Sequence, residues 1–347
     1  MKVTTRRPLD EILVRELAPD ADRNDVADAV YAVIRQRVPF DFACLATTDP
    51  ATGLVTWASK TRDLGVGDEE FSAQEYGPPD VNRFVEIAQR AVPVGVLSVD
   101  TDGHPERCRR HREFNHLRFG FTDEIRVVFR SRGVAWGAIG LYRGPGDPPF
   151  TAKDGAEVVA LEVVVAEALQ RSMFRPGARQ VLRSGGEGPA VLIIDAQDRV
   201  TQLTPAAADA IEQLGGYDHG SPPANILAVV AHTRTSGAPT DSRTQVGHGW
   251  WLSLRAAPLS GPPGGNDVVV TIEPTPHTDL SRLTLAAHGL TTREEDVTLL
   301  VLQGASTRAI ATSLHLSPHT VQDHLKKIFG KLGVNSRRDL AALLTGG

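Results

Sequence analysis

The chain has 347 residues, 41% hydrophobic and 23% charged, enough for two or three domains with buried cores. Its formal charge of −5 argues against nonspecific polyanion binding by the whole surface, and its two cysteines, Cys44 and Cys108, exclude a disulfide framework or a paired zinc site. No stretch approaches the roughly 18 apolar residues of a membrane span, and no apolar segment follows Arg6-Arg7, so a cytoplasmic protein without a signal peptide is expected.

Residues 1–21 read as an N-terminal extension. From there to residue 175 the patterns predict a helix (Asn24 to Val38), strands at Asp41–Thr47 and Leu54–Lys60, and a polar loop. A helix from Asp80 to Ala91 and a basic helical segment from Pro105 to Arg118 follow. Strands Asp123–Arg130 and Gly133–Tyr142 are joined by a Ser-Arg-Gly turn. A long helix, Ala152 to Met173, carries Val158, Leu161, Val165 and Leu169 at helical spacing. Arg175-Pro176-Gly177 closes this α+β region.

Residues 185–275 predict a second, small α+β domain. Its strand Ala190–Ile194 is followed by a turn (Asp195 to Arg199), a helix from Thr204 to Leu214, and strands Trp250–Ala257 and Asp267–Ile272. Adjacent Trp250 and Trp251 must point to opposite faces. The Pro/Gly-rich run Ser260–Asn266 interrupts the strand pair, and Glu273–His277 reads as a linker.

Residues 285–347 predict four helices: Thr292 to Gln303, Ser306 to Leu314, a third opening at Pro318, and Ser336 to Leu344. Thr292 is a candidate cap for the first, with Glu294, Glu295 and Asp296 facing its positive end. Val297, Leu300 and Val301 form its apolar stripe. Ile310 and Leu314 serve the second helix, and Leu340, Leu343 and Leu344 the last. In the third, Val321, Leu325, Ile328 and Leu332 share one face, while His319, Gln322, Asp323, Lys326 and Lys327 share the other. Ser317 caps this helix, Pro318 suits its first position and Gly333 ends it. Two helices joined by a tight turn, the second polar outside, match the pattern of a DNA-binding helix-turn-helix. From Leu285 onward there are seven Lys/Arg against five Asp/Glu, a mildly basic tail on an acidic body.

These residues resemble the LuxR/NarL-type helix-turn-helix family. The resemblance rests on Leu290-Thr291-Thr292-Arg293-Glu294, Gly304, Ile310-Ala311, Leu316-Ser317, Thr320-Val321, His324, and Lys331-Leu332-Gly333-Val334 with Arg337. It implies an all-α four-helix DNA-binding domain in which Gln322, Asp323 and Lys326 face the major groove and Thr320 lies near the backbone. Ser317, His319, Lys327 and Lys331 complete the expected contact set, and the last helix is a place of dimerisation. Ala309 and Gln322 depart from the family's usual acid and base. Asp323 repels phosphate, but its carboxylate can accept from cytosine N4.

The strand pair Ile125–Tyr142 followed by Pro149–Asp154 looks like the end of a GAF domain. The order of elements in residues 185–275 is similar to a PAS domain. Together these resemblances imply a non-enzymatic, homodimeric transcriptional regulator with GAF-like and PAS-like sensor modules. Its partners would be double-stranded DNA, an unknown small-molecule ligand or protein signal, and RNA polymerase; it would need no cofactor. Two other readings stay open: an anti-regulator acting by protein contact, and a GAF-derived enzyme.

Trp57, Phe119, Phe121 and Trp136 are candidates for a ligand pocket or for ordinary sheet core. His104, Cys108, His111 and His116 are rich in ligand atoms, but Arg107, Arg109, Arg110 and Arg112 disfavour a metal. A solvated basic face is the expectation, with an acidic-ligand site as the alternative. Cys108 among arginines could have a lowered pKa, and Cys44 reads as inert core. The aspartates at 195 and 198 do not make a phosphoacceptor site.

Overall fold

In the computed structural model the chain is described over residues 7–174, 188–247, 250–260, 266–276, 285 and 288–345. The expected breaks at Arg175–Gly177 and within Ser260–Asn266 fall wholly or partly outside them. The chain divides into one unit ending at Pro274 and a second beginning at Thr275.

Helices α1 (Leu9–Glu16) and α2 (Arg23–Arg35) open the first unit. Asp22 caps α2 through the Asn24 and Asp25 amides, with Asp25 returning the bond. Leu9 and Leu13 are buried, and α1 packs on α2 and on α8 (Glu162–Met173). Helix α1, within the expected extension, thus packs into the first fold.

Five strands form the first antiparallel sheet: β1 (Phe42–Thr48), β2 (Val55–Lys60), β3 (Val94–Val96), β4 (Asp123–Ser131) and β5 (Val134–Arg143), in the order β2-β1-β5-β4-β3. The hairpin between β4 and β5 turns through Arg132 and Gly133, both at positive φ. Helices α2, α7 (Ala152–Val159) and α8 serve one side of the sheet. The expected single helix from Ala152 is two, divided at Ala160–Leu161, although Val158, Leu161, Val165 and Leu169 are all buried as anticipated. Apolar periodicity passes through the break because both pieces pack on the same core.

The other side carries short pieces. Helix α3 (Glu69–Glu75) replaces part of the expected loop, and the expected Asp80–Ala91 helix contracts to α4 (Phe84–Ile87). Asp80 accepts from the amides of Arg109 and Arg110 at 2.9 and 2.7 Å, an anchoring role outside any helix. Helix α5 (Leu97–Asp100) follows β3. The expected basic helix is broken into a 3-10 turn (Pro105–Arg107), a π-turn (His111–Asn115) and α6 (His116–Phe119).

The second sheet contains β6 (Ala190–Ile194), β7 (Val200–Leu203), β8 (Thr240–Val246), β9 (Trp250–Pro258) and β10 (Val268–Pro274), ordered β7-β6-β10-β9-β8. This repeats the strand order of the first sheet. Helices α9 (Pro205–Gln213) and α10 (Ala224–Ser236) cover one face, burying Ile211, Ile226 and Val229 against Leu254 and Val270. The first module contributes Leu54 and Tyr76 to that same core. On the opposite face Trp251 packs on Phe174, with ring centres 5.1 Å apart, and Phe174 meets Trp136 at 6.0 Å. The two sheets therefore share a continuous interior.

Among its described residues the second unit has the helices α11 (Thr292–Leu302), α12 (Thr307–Ser313), α13 (Pro318–Leu332) and α14 (Arg337–Thr345). Thr291, not Thr292, caps α11, and Glu294 completes a capping box by returning to the Thr291 amide at 2.8 Å. Val297, Val301, Ile310, Val321, Leu325, Ile328, Leu340 and Leu344 close the core, with Leu300 and Leu314 packed at its edge. Leu343 is exposed, contrary to its expected place in the stripe.

Candidate nucleic-acid interface and sensor cavity

Helix α13 is presented by its neighbours. Ser317 caps it, its hydroxyl accepting from the Thr320 amide at 3.0 Å, and Gly333 ends it at φ +66°. His315 takes a left-handed conformation (φ +54°) to make the turn from α12, and the Leu316 amide reaches the Ala311 carbonyl at 2.8 Å. Two arginines brace the turns. Arg293 donates to the Leu314 carbonyl, and Arg337 donates at 2.9 Å each to the Ala305 carbonyl and Thr307 hydroxyl. Both belong to the residues that carry the family resemblance, and their bracing role depends on carbonyls of other turns that the sequence pattern does not show.

With Val321, Leu325, Ile328 and Leu332 buried, His319, Gln322, Asp323, Lys326 and Lys327 stand exposed on the same helix and Thr320 is half-buried. The face is partly pre-ordered. His319 Nδ1 lies 3.1 Å from an Asp323 oxygen one turn on, and Gln322 Nε2 lies 3.4 Å from the Thr307 hydroxyl. Lys326 and Lys327 form no ion pair among the described residues. Lys331 differs from the other expected contact residues. Its ammonium donates to Glu294 at 2.5 Å and to the Gly289 carbonyl at 2.9 Å, so its charge serves the fold of this unit. Burial raises the Glu294 pKa, but the bonds from Lys331 and Thr291 more than reverse this and hold it below the ordinary carboxylate value.

The first sheet has a cavity of about 60 Å³ on the side of α3 and α4, floored by Cys44, Ala46, Ala138 and Gly140 and ringed by Phe42, Phe119, Phe121 and Tyr142. Of the four candidate pocket residues, Phe119 and Phe121 line this cavity and Trp57 and Trp136 do not. Strand alternation points Trp57 away from Ala58 and Lys60, and the Arg23 guanidinium lies 5.0 Å over its ring. Trp136 is buried beside a register shift in the β4–β5 pair and packs on Phe174. Phe42, Cys44 and Tyr142 went unrecognised, although Phe42-x-Cys44-x-Ala46 is a one-face alternation.

The segment expected to be a solvated basic face is partly interior. Arg110 is fully buried and ion-paired with the equally buried Glu124, which also accepts from Asn115 Nδ2 at 2.9 Å. Cys108 is buried, its Sγ 3.4 Å from Asp80, and burial pushes the thiol up to about 12, the reverse of an activated cysteine. Cys44 is likewise pushed up to about 12 by burial. Buried His111 has its pKa lowered by desolvation, whereas His104 and His116 are exposed. Among the described residues no group of three or more His, Cys, Asp or Glu gathers to hold a metal ion. A second cavity, about 280 Å³, lies where Thr48, Tyr76 and Arg83 meet His232 and Ser236 of α10.

Residues 288–344 match the family of bacterial regulatory proteins, luxR family. A putative HTH-type transcriptional regulator of Mycobacterium bovis is 49% identical over 51 residues, 15% of this chain and 6% of that protein. Another, from Aeromonas salmonicida, is 47% identical over 51 residues, 15% of this chain and 26% of that one. The chain thus spans only a small part of these relatives. Among solved structures, Escherichia coli SdiA matches with TM-score 0.33 and 11% identity over 96% of this chain and 93% of that one. The Vibrio cholerae VqmA dimer, a LuxR-type receptor, matches with TM-score 0.23 and 17% identity over 45% and 81%. No helix among the described residues is long and apolar enough to cross a membrane.

Proposed function

We propose that the protein is a sequence-specific DNA-binding transcriptional regulator whose first unit senses a small molecule or a protein signal. The observation that carries this reading is the exposed polar face of α13, capped, braced from both adjacent turns and set on a buried apolar stripe. The luxR-family match of residues 288–344 supports it.

In this reading Gln322, Asp323 and Lys326 meet base edges, while Ser317, His319, Thr320 and Lys327 position the helix on the backbone. Lys331 contributes by holding Glu294. The protein acts as a homodimer on two half-sites about 10 base pairs apart. The two modules of the first unit, GAF-like and PAS-like by element order, place the DNA-binding units according to the signal.

The test is selection from random duplex DNA by the full-length protein at two salt concentrations. A two-fold-related motif with steep salt dependence is expected. Recovery of unenriched sequence at both salts would overturn the reading in favour of a protein-contacting anti-regulator.

A further inference from the structure

We propose that the cavity on the first sheet takes a neutral, single-ring aromatic molecule carrying one hydrogen-bonding group, and that the second sheet module opposes its entry. The inference rests on the reading of this unit as a sensor and gives it a ligand class and a coupling route.

The chemistry of the lining selects the class. Phe42, Phe121 and Tyr142 lie with ring centres 5.0 to 5.7 Å apart, a wall suited to stacking or edge contact with another ring. The charged groups at the rim, Lys60 and Asp68, neutralise each other at 2.9 Å, so the site offers no net charge to offset the desolvation of an ion. Two residues of the lining offer a polar group for a ligand. The Tyr142 hydroxyl has no hydrogen-bond partner among the described residues, though Tyr142 is only 6% exposed. Asn115, 2% exposed, commits Nδ2 to Glu124, and its Oδ1 finds no partner among those residues. A ligand hydroxyl or ring N–H could bond to either group.

Size gives the coupling. At about 60 Å³ the cavity is smaller than the roughly 150 Å³ known to hold benzene, so a ring enters only if a wall moves. The floor is sheet and cannot yield cheaply. The yielding wall is the segment from Leu64 to Phe71, and it is latched from residues 218–221 of the second module. Within that segment the Ser221 hydroxyl donates to Glu69, and His219 meets Asp63, one residue before it, at 2.9 Å; Asp218, 3.7 Å from Lys60, ties the same turn to β2. Gly67 backs on this turn so closely that a methyl there would fall 2.2 Å from Ser221 Oγ. Opening for a ligand therefore works against the joint between the modules. By linkage, loosening the joint must tighten ligand binding.

The test is calorimetric titration of the full-length protein, without DNA, using phenol, toluene and benzoate as probes. Saturable phenol binding is expected, with toluene and benzoate at least about tenfold weaker, matching the worth of one buried hydrogen bond or the penalty on a charge. Tyr142→Phe, which removes one oxygen atom, should reduce the preference for phenol over toluene, and Cys44→Leu should fill the cavity and block all three. The latch variant His219→Ala/Ser221→Ala should bind phenol about three- to tenfold tighter. Equal binding of phenol and benzoate, no saturable phenol binding, or an unchanged preference in Tyr142→Phe would overturn the ligand class. Unchanged or weaker affinity in the latch variant would overturn the coupling. Because no DNA is present, either failure is separable from failure of the DNA selection.

Discussion

The carboxylate of Asp49, in the turn after β1, collects three N–H groups of Arg243 on β8: the backbone amide at 2.8 Å, Nε at 3.3 Å and Nη2 at 3.1 Å. Asp49 also accepts from Ala51 at 2.9 Å and is 1% exposed, so nearly all its acceptor capacity is committed. Removing one partner of such a pair strands the other. Asp49→Ala should destabilise the first unit by about 2–4 kcal/mol, and Asp49→Asn by less, because the amide oxygen still accepts. Urea unfolding of both variants checks this. Equal losses would mean the charge, and not the bond count, dominates.

Lysines of one helix should separate by role. Lys326→Ala should leave the unfolding midpoint of the second unit unchanged, weaken DNA binding for all sequences, and reduce the salt slope by about one. Lys331→Met should lower that midpoint, because Glu294 loses its cation while remaining almost buried. Thermal melts alongside binding at several salt concentrations distinguish the two. A stability loss in Lys326→Ala would refute the division.

The lowered pKa of Glu294 has a defined consequence in pH. Its folded value lies below the unfolded one, so the folded state binds fewer protons and gains stability as pH rises through that range. The contribution is complete above the ordinary carboxylate value of about 4.3 and is lost as pH falls through the lower folded value. Glu294→Gln should flatten this dependence while costing about 1–2 kcal/mol at neutral pH. Melts between acid and neutral pH report both.

Asp323 is 60% exposed and pairs with His319 one turn before it. Asp323→Ala should leave stability within about 0.5 kcal/mol. It should also alter the preferred base at one position of each half-site, a discrimination worth about 1–3 kcal/mol. Selection of DNA by the variant reads this out directly, and an unchanged motif would remove Asp323 from the base-reading set.

Gly333 ends α13 at φ +66° with open space around the position of a missing Cβ. Gly333→Ala therefore meets no clash, and its expected cost of about 1–2 kcal/mol is purely that of the left-handed backbone. A cost well above that, measured by denaturant unfolding, would point to a packing role.

The helix-turn-helix was legible because its information is local. Caps, a Gly terminator and a stripe at helical spacing lie within about 60 residues of each other, and the expected helices differ from the observed ones by one or two residues. The first unit hides its logic in distant pairs. Arg110 reads as solvent-facing until Glu124 is brought to it by β4, and Asp80 reads as a helix start until the amides of Arg109 and Arg110 arrive. Helix α10 escaped notice because it is buried on both sides, against the second sheet and against β2 and α3, and so has no polar face to set a period. The cavity was half seen. Large aromatics drew attention to Trp57 and Trp136, whereas the space is made by small residues, Ala46, Ala138 and Gly140, on the alternate face.

Both sheets share the order in which the last strand made, β5 or β10, lies at the centre, between the first strand and the fourth. During synthesis neither sheet can close until that strand has emerged. Before Val134–Arg143 appears, β1 and β2 form a hairpin with one edge open, and the same holds for β6 and β7 until Val268–Pro274. A nascent chain stopped between the fourth and fifth strands of either sheet presents two unpaired edges and an uncovered core, the species most exposed to aggregation. Leu54 and Tyr76, whose apolar contacts lie in the second module's core, must wait longer still, so completion of the first module's surface is timed by the end of the second.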